Sequence, residues 1–271
     1  MYLVDGHMHS SISKDSETPR IAMAQSAVER GLDEICFTDH YDILDFDGSY
    51  NPTFDWFPAR AQQRQAVDAW GDRIKIHYGL ELGNAPADFE AGERVQREPG
   101  LDCVLCSVHN LSMEVGRTDF YDVCYNTPEI CYAHLDDYFQ SMLRSVEWGK
   151  FDVLAHIPYP LRYMRDRDGQ KITLDRYQEQ IRTILRFCIE DGHGVEVNTK
   201  NWGASVCDDY VRLMKTYRAL GGEIVTVGSD AHAQEYVGAG IAEAYAMLKE
   251  LGFRYIAVYT QRKPHFIKLE D

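Results

Sequence analysis

The segment Tyr2-Leu3-Val4-Asp5-Gly6-His7-Met8-His9 runs from a short apolar stretch directly into two histidines. Residues two apart along a strand point to the same face, so His7 and His9 are expected to look the same way. A single pair of this kind is also compatible with surface or core histidines. The segment becomes evidence for a functional site because the same arrangement, an apolar run followed by histidine or carboxylate, recurs along the chain.

Further segments place histidine or a carboxylate where a strand is predicted to end: Asp15, Thr38-Asp39-His40, Glu81, His109, His156 and Ser229-Asp230-Ala231-His232. The apolar runs before them include Ile35-Cys36-Phe37, Val104-Leu105-Cys106 and Val153-Leu154-Ala155. Repeated strands with reactive residues at one end are typical of the mouth of a β/α barrel. Imidazole and carboxylate in this number favour borderline and hard divalent metals.

Six of the ten histidines fall at these strand ends, and the other four are His77, His134, His193 and His265. Each site residue taken singly has an ordinary structural explanation, such as a helix cap, an ion pair or a hydrogen-bonded core histidine. His134 is predicted to begin a helix, where a capping role is sufficient. The combination of six histidines with several carboxylates is what indicates a multi-metal site.

Helix-like stretches with 3.6-residue periodicity alternate with the apolar runs, and most of them stop at a glycine. They span 19–30, 58–70, 88–97, 134–148, 174–190, 208–220 and 235–251. Strands alternating with helices predict a parallel sheet, here as seven β/α units in a single domain over residues 1–271. Residues 255–259 and 266–269 are candidates for additional strands. The long loops 41–57 and 110–133 are predicted to act as lids or binding walls.

Composition excludes several classes of protein. A chain of 271 residues with 45% apolar residues suits one large domain, and no apolar run reaches the ~18 residues that a membrane span needs. The net charge of −15 disfavours a nucleic-acid partner. Seven scattered cysteines and the lack of a visible secretory signal predict reduced thiols and a cytoplasmic protein. Cys103 and Cys106 are expected to be buried strand cysteines rather than a zinc knuckle. The sequence indicates no oligomeric state.

The order of the motifs resembles that of the PHP (polymerase and histidinol phosphatase) superfamily of metal-dependent phosphoesterases. The motifs that carry the resemblance are Asp5-Gly6-His7-Met8-His9-Ser10, Thr38-Asp39-His40, Glu81, His109, His156 and Asp230-Ala231-His232. The chain length and the Leu154-Ala155-His156-Ile157 segment are also similar to the stand-alone histidinol-phosphate phosphatases of that family. The resemblance implies a distorted (βα)7 barrel, in agreement with the seven units counted above.

The resemblance also implies two to three divalent metal ions, which would be Zn, Mn or Fe. The first would be held by His7, His9, Glu81 and Asp230. Glu81 would bridge to a second ion, which His109 and His156 also bind. The third would be held by Asp15, His40 and His232, with Asp15 at a position that varies in the family. Asp39 is expected to orient His40 through a hydrogen bond.

Such a cluster favours hydrolysis of a small phosphorylated substrate, because water held between metal ions loses a proton near neutral pH. Glu81, Asp230 and His232 would act through that water. Arg162, Arg165 and Lys200 are candidates for phosphate contacts, with Arg162 also stabilising developing charge, although all three could be solvated loop cations. The arginine expected soon after Asn198-Thr199 is absent, and Lys200 lacks its bidentate geometry.

Substrate choice is expected to reside in the loops. Loop 41–57 offers acids and aromatics that would suit the amine and imidazole of histidinol phosphate: Asp42, Asp45, Asp47, Asp55, Tyr50, Phe54, Trp56 and Phe57. An acidic solubilising loop is an equally good interpretation. Three functions remain open: a histidinol-phosphate phosphatase, another PHP phosphoesterase such as a sugar or nucleotide phosphatase or a nuclease, and a PHP-like binding domain without turnover.

Overall fold

The computed structural model describes residues 1–51, 53–203 and 206–269, so Pro52 of the predicted loop 41–57 lies outside the described residues. Its strands are β1 (Val4–Met8), β2 (Glu34–Phe37), β3 (His40–Asp42), β4 (Lys75–Gly83), β5 (Cys103–Ser107), β6 (Val153–Leu154), β7 (Gly194–Asn198), β8 (Val225–Gly228), β9 (Tyr255–Thr260) and β10 (Lys263–Lys268). Its α-helices are α1 (Arg20–Glu29), α2 (Trp56–Trp70), α3 (Phe89–Val95), α4 (Pro128–Trp148), α5 (Gln178–Asp191), α6 (Val206–Ala219) and α7 (Ile241–Glu250).

Seven parallel strands form the barrel in the order β1, β2, β4, β5, β6, β7, β8. Strand β3 pairs with the second half of β4, which sets His40 beside Glu81. The barrel closes where β8 ends against β1: His9 N donates to Ala231 O at 2.9 Å, and Asp230 N donates to His7 O at 2.8 Å. The predicted fold class, an α/β barrel of seven units, is confirmed. None of the described helices is both long and apolar enough to cross a bilayer.

The barrel strands are largely buried on both faces, as expected for a parallel sheet covered by helices. Every residue of β5 and β7 is buried, including Cys103 and Cys106, as predicted for strand cysteines. The antiparallel hairpin of β9 and β10 covers the amino end of the barrel, where Ala257 and Tyr259 pack with Cys103. The additional strands predicted near the C-terminus are therefore present, and they leave the carboxyl end of the barrel open.

The helix predicted at 134–148 begins earlier than expected. Helix α4 starts at Pro128, and the Thr127 side chain accepts from Ile130 N as its N-cap. His134 therefore lies inside the helix, and the capping role assigned to it is wrong. The sequence signal that was overlooked is Thr-Pro, a capping residue followed by the residue most favoured at the first helical position.

The helix predicted at 235–251 is interrupted. A single 3-10 turn at Gln234–Tyr236 precedes α7, and the residues between them are not helical. Gly238 and Gly240 take φ values of 72° and 75°, which a right-handed helix does not allow. The residue that follows Gly240 begins α7, so this glycine ends a loop that begins at the carboxyl end of β8.

Candidate metal centre

Glu81, fully buried on β4, lies at the centre of the carboxyl end of the barrel. Its Oε2 atom is within 3.3 Å of a ring nitrogen of each of three histidines, His7, His9 and His40. Its Oε1 atom is 2.8 Å from His156 Nε2 and 3.1 Å from His109 Nε2. The two oxygens of one carboxylate therefore face two different sets of imidazoles, which is the arrangement that a bridging ligand needs.

Asp230 approaches the same cluster from the end of β8, with Oδ1 3.3 Å from His9 Nε2. Its φ of 53° is in the left-handed region, which costs a non-glycine residue free energy. Buried Asp5 holds this turn in place, because its carboxylate accepts from Ser229 N at 2.8 Å and from Gly238 N at 2.9 Å. The Asp5 of the first motif is thus a support for the loop after β8, not a ligand.

Asp15, His40 and His232 also lie close together, and their binding of a third ion stays a prediction. Asp15 Oδ2 lies 2.8 Å from His232 Nε2 and 3.7 Å from His40 Nε2. Burial alone would raise the pKa of Asp15, but hydrogen bonds to the two imidazoles lower it below its usual value. The loop between β1 and α1 therefore delivers a carboxylate to the outer edge of the cluster.

Among the residues that the structure describes, four groups of three side chains place one ligand atom each within 4.8 Å of one another. The groups are His7-His9-Asp230, His7-Glu81-His156, His9-His40-His232 and His40-Asp42-His109. His7, His9 and His40 each belong to two groups, so the geometry describes one continuous cluster. The division of its members among three ions stays a prediction.

Hydrogen bonds at the outer ring nitrogens show that this donor set fits metal ions. His7 Nδ1 lies 2.6 Å from Glu196 Oε1, and His109 Nδ1 lies 2.7 Å from Asp42 Oδ1. An ionised carboxylate only accepts, so each Nδ1 carries a hydrogen, and Nε2 is left as the nitrogen that a metal ion would bind in place of a proton. The Nε2 atoms of His7 and His109 converge on the oxygens of Glu81, and positive charge from metal ions or from protonated imidazoles stabilises that carboxylate.

Glu196 and Asp42 are functional residues that sequence reasoning missed. Glu196 is a buried acid inside the apolar strand β7, and its second oxygen accepts from His156 N at 2.9 Å. An acid between two valines was the available signal for it. Asp42 was expected to meet a substrate amine, and this is corrected: its carboxylate is buried and accepts from His109.

Asp39 also requires correction, since it does not contact the His40 side chain. Its carboxylate accepts from Arg20 Nη2 at 2.7 Å, from Ser10 Oγ at 2.8 Å and from Ser13 Oγ at 2.9 Å. The Arg20 guanidinium lowers the pKa of Asp39 against the opposing effect of burial. Asp39 lies between β2 and β3, and its carboxylate faces Arg20, whereas the ring of His40 faces Glu81.

The three predicted phosphate-binding cations have different surroundings. Arg162 is buried, with Nη1 3.0 Å from Asp230 Oδ2, and Lys200 Nζ lies 3.2 Å from Asp230 Oδ1. Arg165 instead pairs with Asp209 and does not line the cavity above the cluster, so its predicted role is corrected. The segment Arg162–Arg167 is a π-helical turn, which changes the residues that share a face relative to an α-helix.

A cavity of about 780 Å³ opens over the cluster. Besides the metal-site residues, Arg162 and Lys200, it is lined by Phe46, Asp119, Tyr121, Asp122, Tyr159, Tyr163, Asp166, Arg167 and Asn201. Tyr159 packs against His156 at 4.9 Å between ring centroids, and its hydroxyl lies 3.1 Å from that of Tyr163. The acidic and aromatic lining therefore comes mainly from loop 110–133 and the π-helical turn.

Loop 41–57 contributes less to the cavity than predicted. Phe46 is the one described residue of this loop that lines the cavity. Its acids serve the local structure: Asp45 pairs with Lys14, Asp47 accepts from Ser49 N, and Asp55 caps α2. The interpretation of this segment as a structural, solvated loop is the one that its contacts favour.

The electrostatics of the cavity differ between its floor and its lining. Burial opposes ionisation of Glu81, but the imidazoles of His7 and His40 outweigh it and hold the pKa of Glu81 well below its usual value. Burial raises the pKa of Asp119 to about 6. The Asp119 carboxylate accepts from Tyr121 N at 2.7 Å, and a cationic ligand in the cavity would stabilise its charge.

A model of the PHP domain matches residues 5–200 of this chain. The chain belongs to the PHP domain family. The histidinol-phosphatase of Lactococcus lactis subsp. lactis (strain IL1403) is 28% identical over 271 residues, which cover 97% of this chain and 96% of the relative. A protein of Thermotoga maritima named probable histidinol-phosphatase is 28% identical over 258 residues, covering 94% and 95%. The family predicted from the motifs is confirmed.

A solved structure with the same PHP fold agrees over almost the whole chain. The crystal structure of histidinol phosphate phosphatase from Lactococcus lactis, complexed with zinc, L-histidinol and phosphate, aligns with a TM-score of 0.84 and 26% sequence identity. The alignment covers 97% of this chain and 98% of the other. The barrel is therefore shared with that structure over almost the whole length of both chains.

Proposed function

We propose that this protein is a metal-dependent phosphomonoesterase that hydrolyses L-histidinol phosphate to L-histidinol and phosphate. The observation that carries the proposal is a single cavity with two chemical characters. Its floor is a cluster of six histidines and several carboxylates beside Arg162 and Lys200. Its remaining lining is acidic and aromatic. A molecule with phosphate at one end and cationic groups at the other is complementary to both.

The residues of the floor would hold two to three divalent ions, with zinc, manganese and iron all compatible with imidazole and carboxylate ligands. When bound, such ions supply a nucleophile at neutral pH and offset charge on the phosphate oxygens. The chain itself holds the ligand atoms in place: Glu81 faces imidazoles with both oxygens, and Glu196 and Asp42 fix the orientation of His7 and His109.

Phosphate recognition is assigned to Arg162 and Lys200. Arg162 donates to Asp230 and to Asn198 Oδ1, at 3.0 Å and 2.5 Å, so its guanidinium is held rigidly at the floor of the cavity. The Lys200 side chain is more flexible than that of Arg162, because its ammonium is a point charge at the end of a flexible aliphatic chain. Arg162 is thus the group suited to charge that develops in the transition state, and Lys200 to ground-state binding.

The histidinol end of the substrate is assigned to the aromatic and acidic lining. Tyr159, Tyr163 and Tyr121 form a continuous series of rings, with centroid separations of 5.3 Å and 5.6 Å. Such rings suit an imidazole or a cation. Asp119 is a buried carboxylate in the same lining, and it is the residue best placed to pair with the substrate ammonium.

Phosphate release from a panel of substrates tests this function. Wild-type kcat/KM should be higher for L-histidinol phosphate than for p-nitrophenyl phosphate or nucleoside monophosphates. Asp119→Asn should lower kcat/KM about 10- to 100-fold for L-histidinol phosphate, the range of a buried charged hydrogen bond, and leave p-nitrophenyl phosphate nearly unchanged. Asp47→Asn is the matched control, because Asp47 lies in the loop first expected to bind the amine.

Each alternative function predicts a different result on the same panel. Another PHP phosphoesterase would prefer a sugar or nucleotide phosphate. In that case Asp119→Asn would not lower kcat/KM selectively for the substrate that carries an ammonium group. A binding domain without turnover would release no phosphate from any substrate, with or without added metal. Equal efficiency on L-histidinol phosphate and p-nitrophenyl phosphate would contradict the proposed substrate.

A further inference from the structure

Asp39 lies beside the metal cluster without reaching it. The carboxylate is almost fully buried, and Arg20 of α1 binds it through both Nε and Nη2, at 3.0 Å and 2.7 Å. The loop after β1 supplies its other partners, Ser10 N at 2.5 Å and the hydroxyls of Ser10 and Ser13. All of these contacts are donations to the carboxylate, so Asp39 acts as an ionised acceptor held by a buried arginine.

The direction of these hydrogen bonds determines the state of His9. Ser13 has one hydroxyl hydrogen, and Asp39 Oδ1 accepts it at 2.9 Å. The oxygen of Ser13 can then only accept, and two donors lie 3.0 Å from it: His40 N and His9 Nδ1. His9 therefore carries its hydrogen on Nδ1 and presents the Nε2 lone pair to Glu81 and Asp230.

We propose that Arg20, Asp39 and Ser13 form a positioning relay that selects the metal-binding tautomer of His9. His7 and His109 obtain the same orientation directly from a carboxylate, whereas His9 obtains it through an intervening hydroxyl. The relay also anchors the loop that carries Asp15, because Ser10 and Ser13 precede it closely. Arg20, Asp39 and Ser13 are not among the described residues that line the cavity, so their role is positional.

The inference rests on the metal role proposed for His9, but its test does not require turnover. Asp39→Asn puts an amide donor beside Ser13, which would reverse the hydroxyl and drive the hydrogen of His9 to Nε2. Ser13→Ala removes the hydroxyl altogether and leaves Nδ1 without its acceptor. Ser145→Ala is the matched control, since Ser145 is buried away from the cluster and its hydroxyl donates to Ser141 O of its own helix, at 2.9 Å.

Two measurements on metal-free protein decide the question: nitrogen-15 NMR of the imidazoles, with His9→Gln to assign the His9 signals, and zinc titration against a chelating indicator. Wild type and Ser145→Ala should show hydrogen on His9 Nδ1. Ser13→Ala and Asp39→Asn should lose that preference and bind zinc about 10- to 100-fold more weakly, as expected for loss of an orienting partner. Thermal unfolding of each variant separates this effect from failure to fold.

An unchanged His9 tautomer in folded Ser13→Ala protein, with zinc affinity within about twofold of wild type, would overturn the relay. Failure of the proposed function looks different. A wild-type protein that binds no zinc would remove the metal role itself, while the NMR comparison would still show whether Ser13 sets the tautomer. If Asp39→Asn does not fold, Ser13→Ala alone decides.

Discussion

The carboxyl end of the barrel can be compared with its amino end, because both bury histidine beside carboxylates. At the amino end His77 Nε2 lies 2.7 Å from Glu34 Oε2, and His77 Nδ1 lies 3.6 Å from Asp102 Oδ2. Lys75 Nζ and the Tyr2 hydroxyl also donate to Glu34, at 2.7 Å and 2.5 Å. Donors and acceptors are matched here, and the β9–β10 hairpin covers this end of the barrel.

The carboxyl end differs in its balance of charge and in its access. Five imidazoles converge on the carboxylate of Glu81, and a cavity of about 780 Å³ opens above them. The comparison teaches that buried His-carboxylate pairs do not by themselves indicate a site. A network that satisfies every donor and acceptor contributes to the fold, whereas one that leaves acceptors facing a cavity is arranged for a cation.

The largest difference between the two ends should follow from removing one carboxylate at each. Glu81→Gln should lower metal content and reduce kcat about 10²- to 10³-fold, because the neutral amide has one oxygen and cannot bridge two cations. Glu34→Gln should leave metal content and kcat near wild type and lower only stability. Elemental analysis and steady-state kinetics on both variants test this. A fully active Glu81→Gln enzyme would refute the multi-metal site.

Arg162, which lines the cavity, and Arg165, which does not, sharpen the comparison at the carboxyl end. Arg162→Ala should raise KM and lower kcat on the order of 10²-fold for every phosphorylated substrate, with metal content retained, because a buried guanidinium beside Asp230 is lost. Arg165→Ala should leave both constants close to wild type, since Arg165 pairs with Asp209. Michaelis–Menten profiles give the answer, and unchanged kinetics for Arg162→Ala would remove that residue from the site.

A smaller effect is expected at the amino end, and it should depend on pH. Burial disfavours protonation of His77, but Asp102 and Glu34 outweigh it and raise its pKa from 6.5 to about 9. The ion pairs therefore stabilise the fold fully below pH 6.5, and this contribution is lost as the pH rises through about 9.

His77→Gln should accordingly lower the free energy of unfolding on the order of 1–2 kcal/mol at pH 6, with turnover unchanged. Urea unfolding at pH 6, 8 and 10 measures the difference from wild type, which should shrink with rising pH. His265→Gln provides the control, because His265 is exposed on β10. A loss of activity in His77→Gln would mean that the two ends are coupled more strongly than their contacts indicate.

The sequence was sufficient to predict the barrel and to indicate which histidines and carboxylates lie together at its carboxyl end. Short apolar runs alternated with helical periodicity, and six histidines followed strand ends, so the topology that brings strand ends together also gathers those side chains. Glu81 was recognisable by the same reasoning. Helix starts were less predictable, because a signal such as Thr127-Pro128 is local and weak beside the apolar periodicity of α4.

The supporting residues could not be predicted, because their roles depend on contacts between distant segments. Asp42 looked like one acid among several in a loop, but β3 pairs with β4 and turns its carboxylate to His109. Asp39 was predicted to orient His40, but its carboxylate is instead linked to His9 through the hydroxyl of Ser13. Arg165 was separated from Arg162 by a π-helical turn that has no clear sequence signal.

The most direct test of the account is stepwise metal reconstitution. The protein is stripped with a chelator, and zinc is added back in increments while bound metal per chain and phosphate release from L-histidinol phosphate are both measured. The account predicts negligible turnover without metal and recovery that reaches its plateau at two to three ions per chain. Full turnover in protein that retains well under one ion per chain would contradict it.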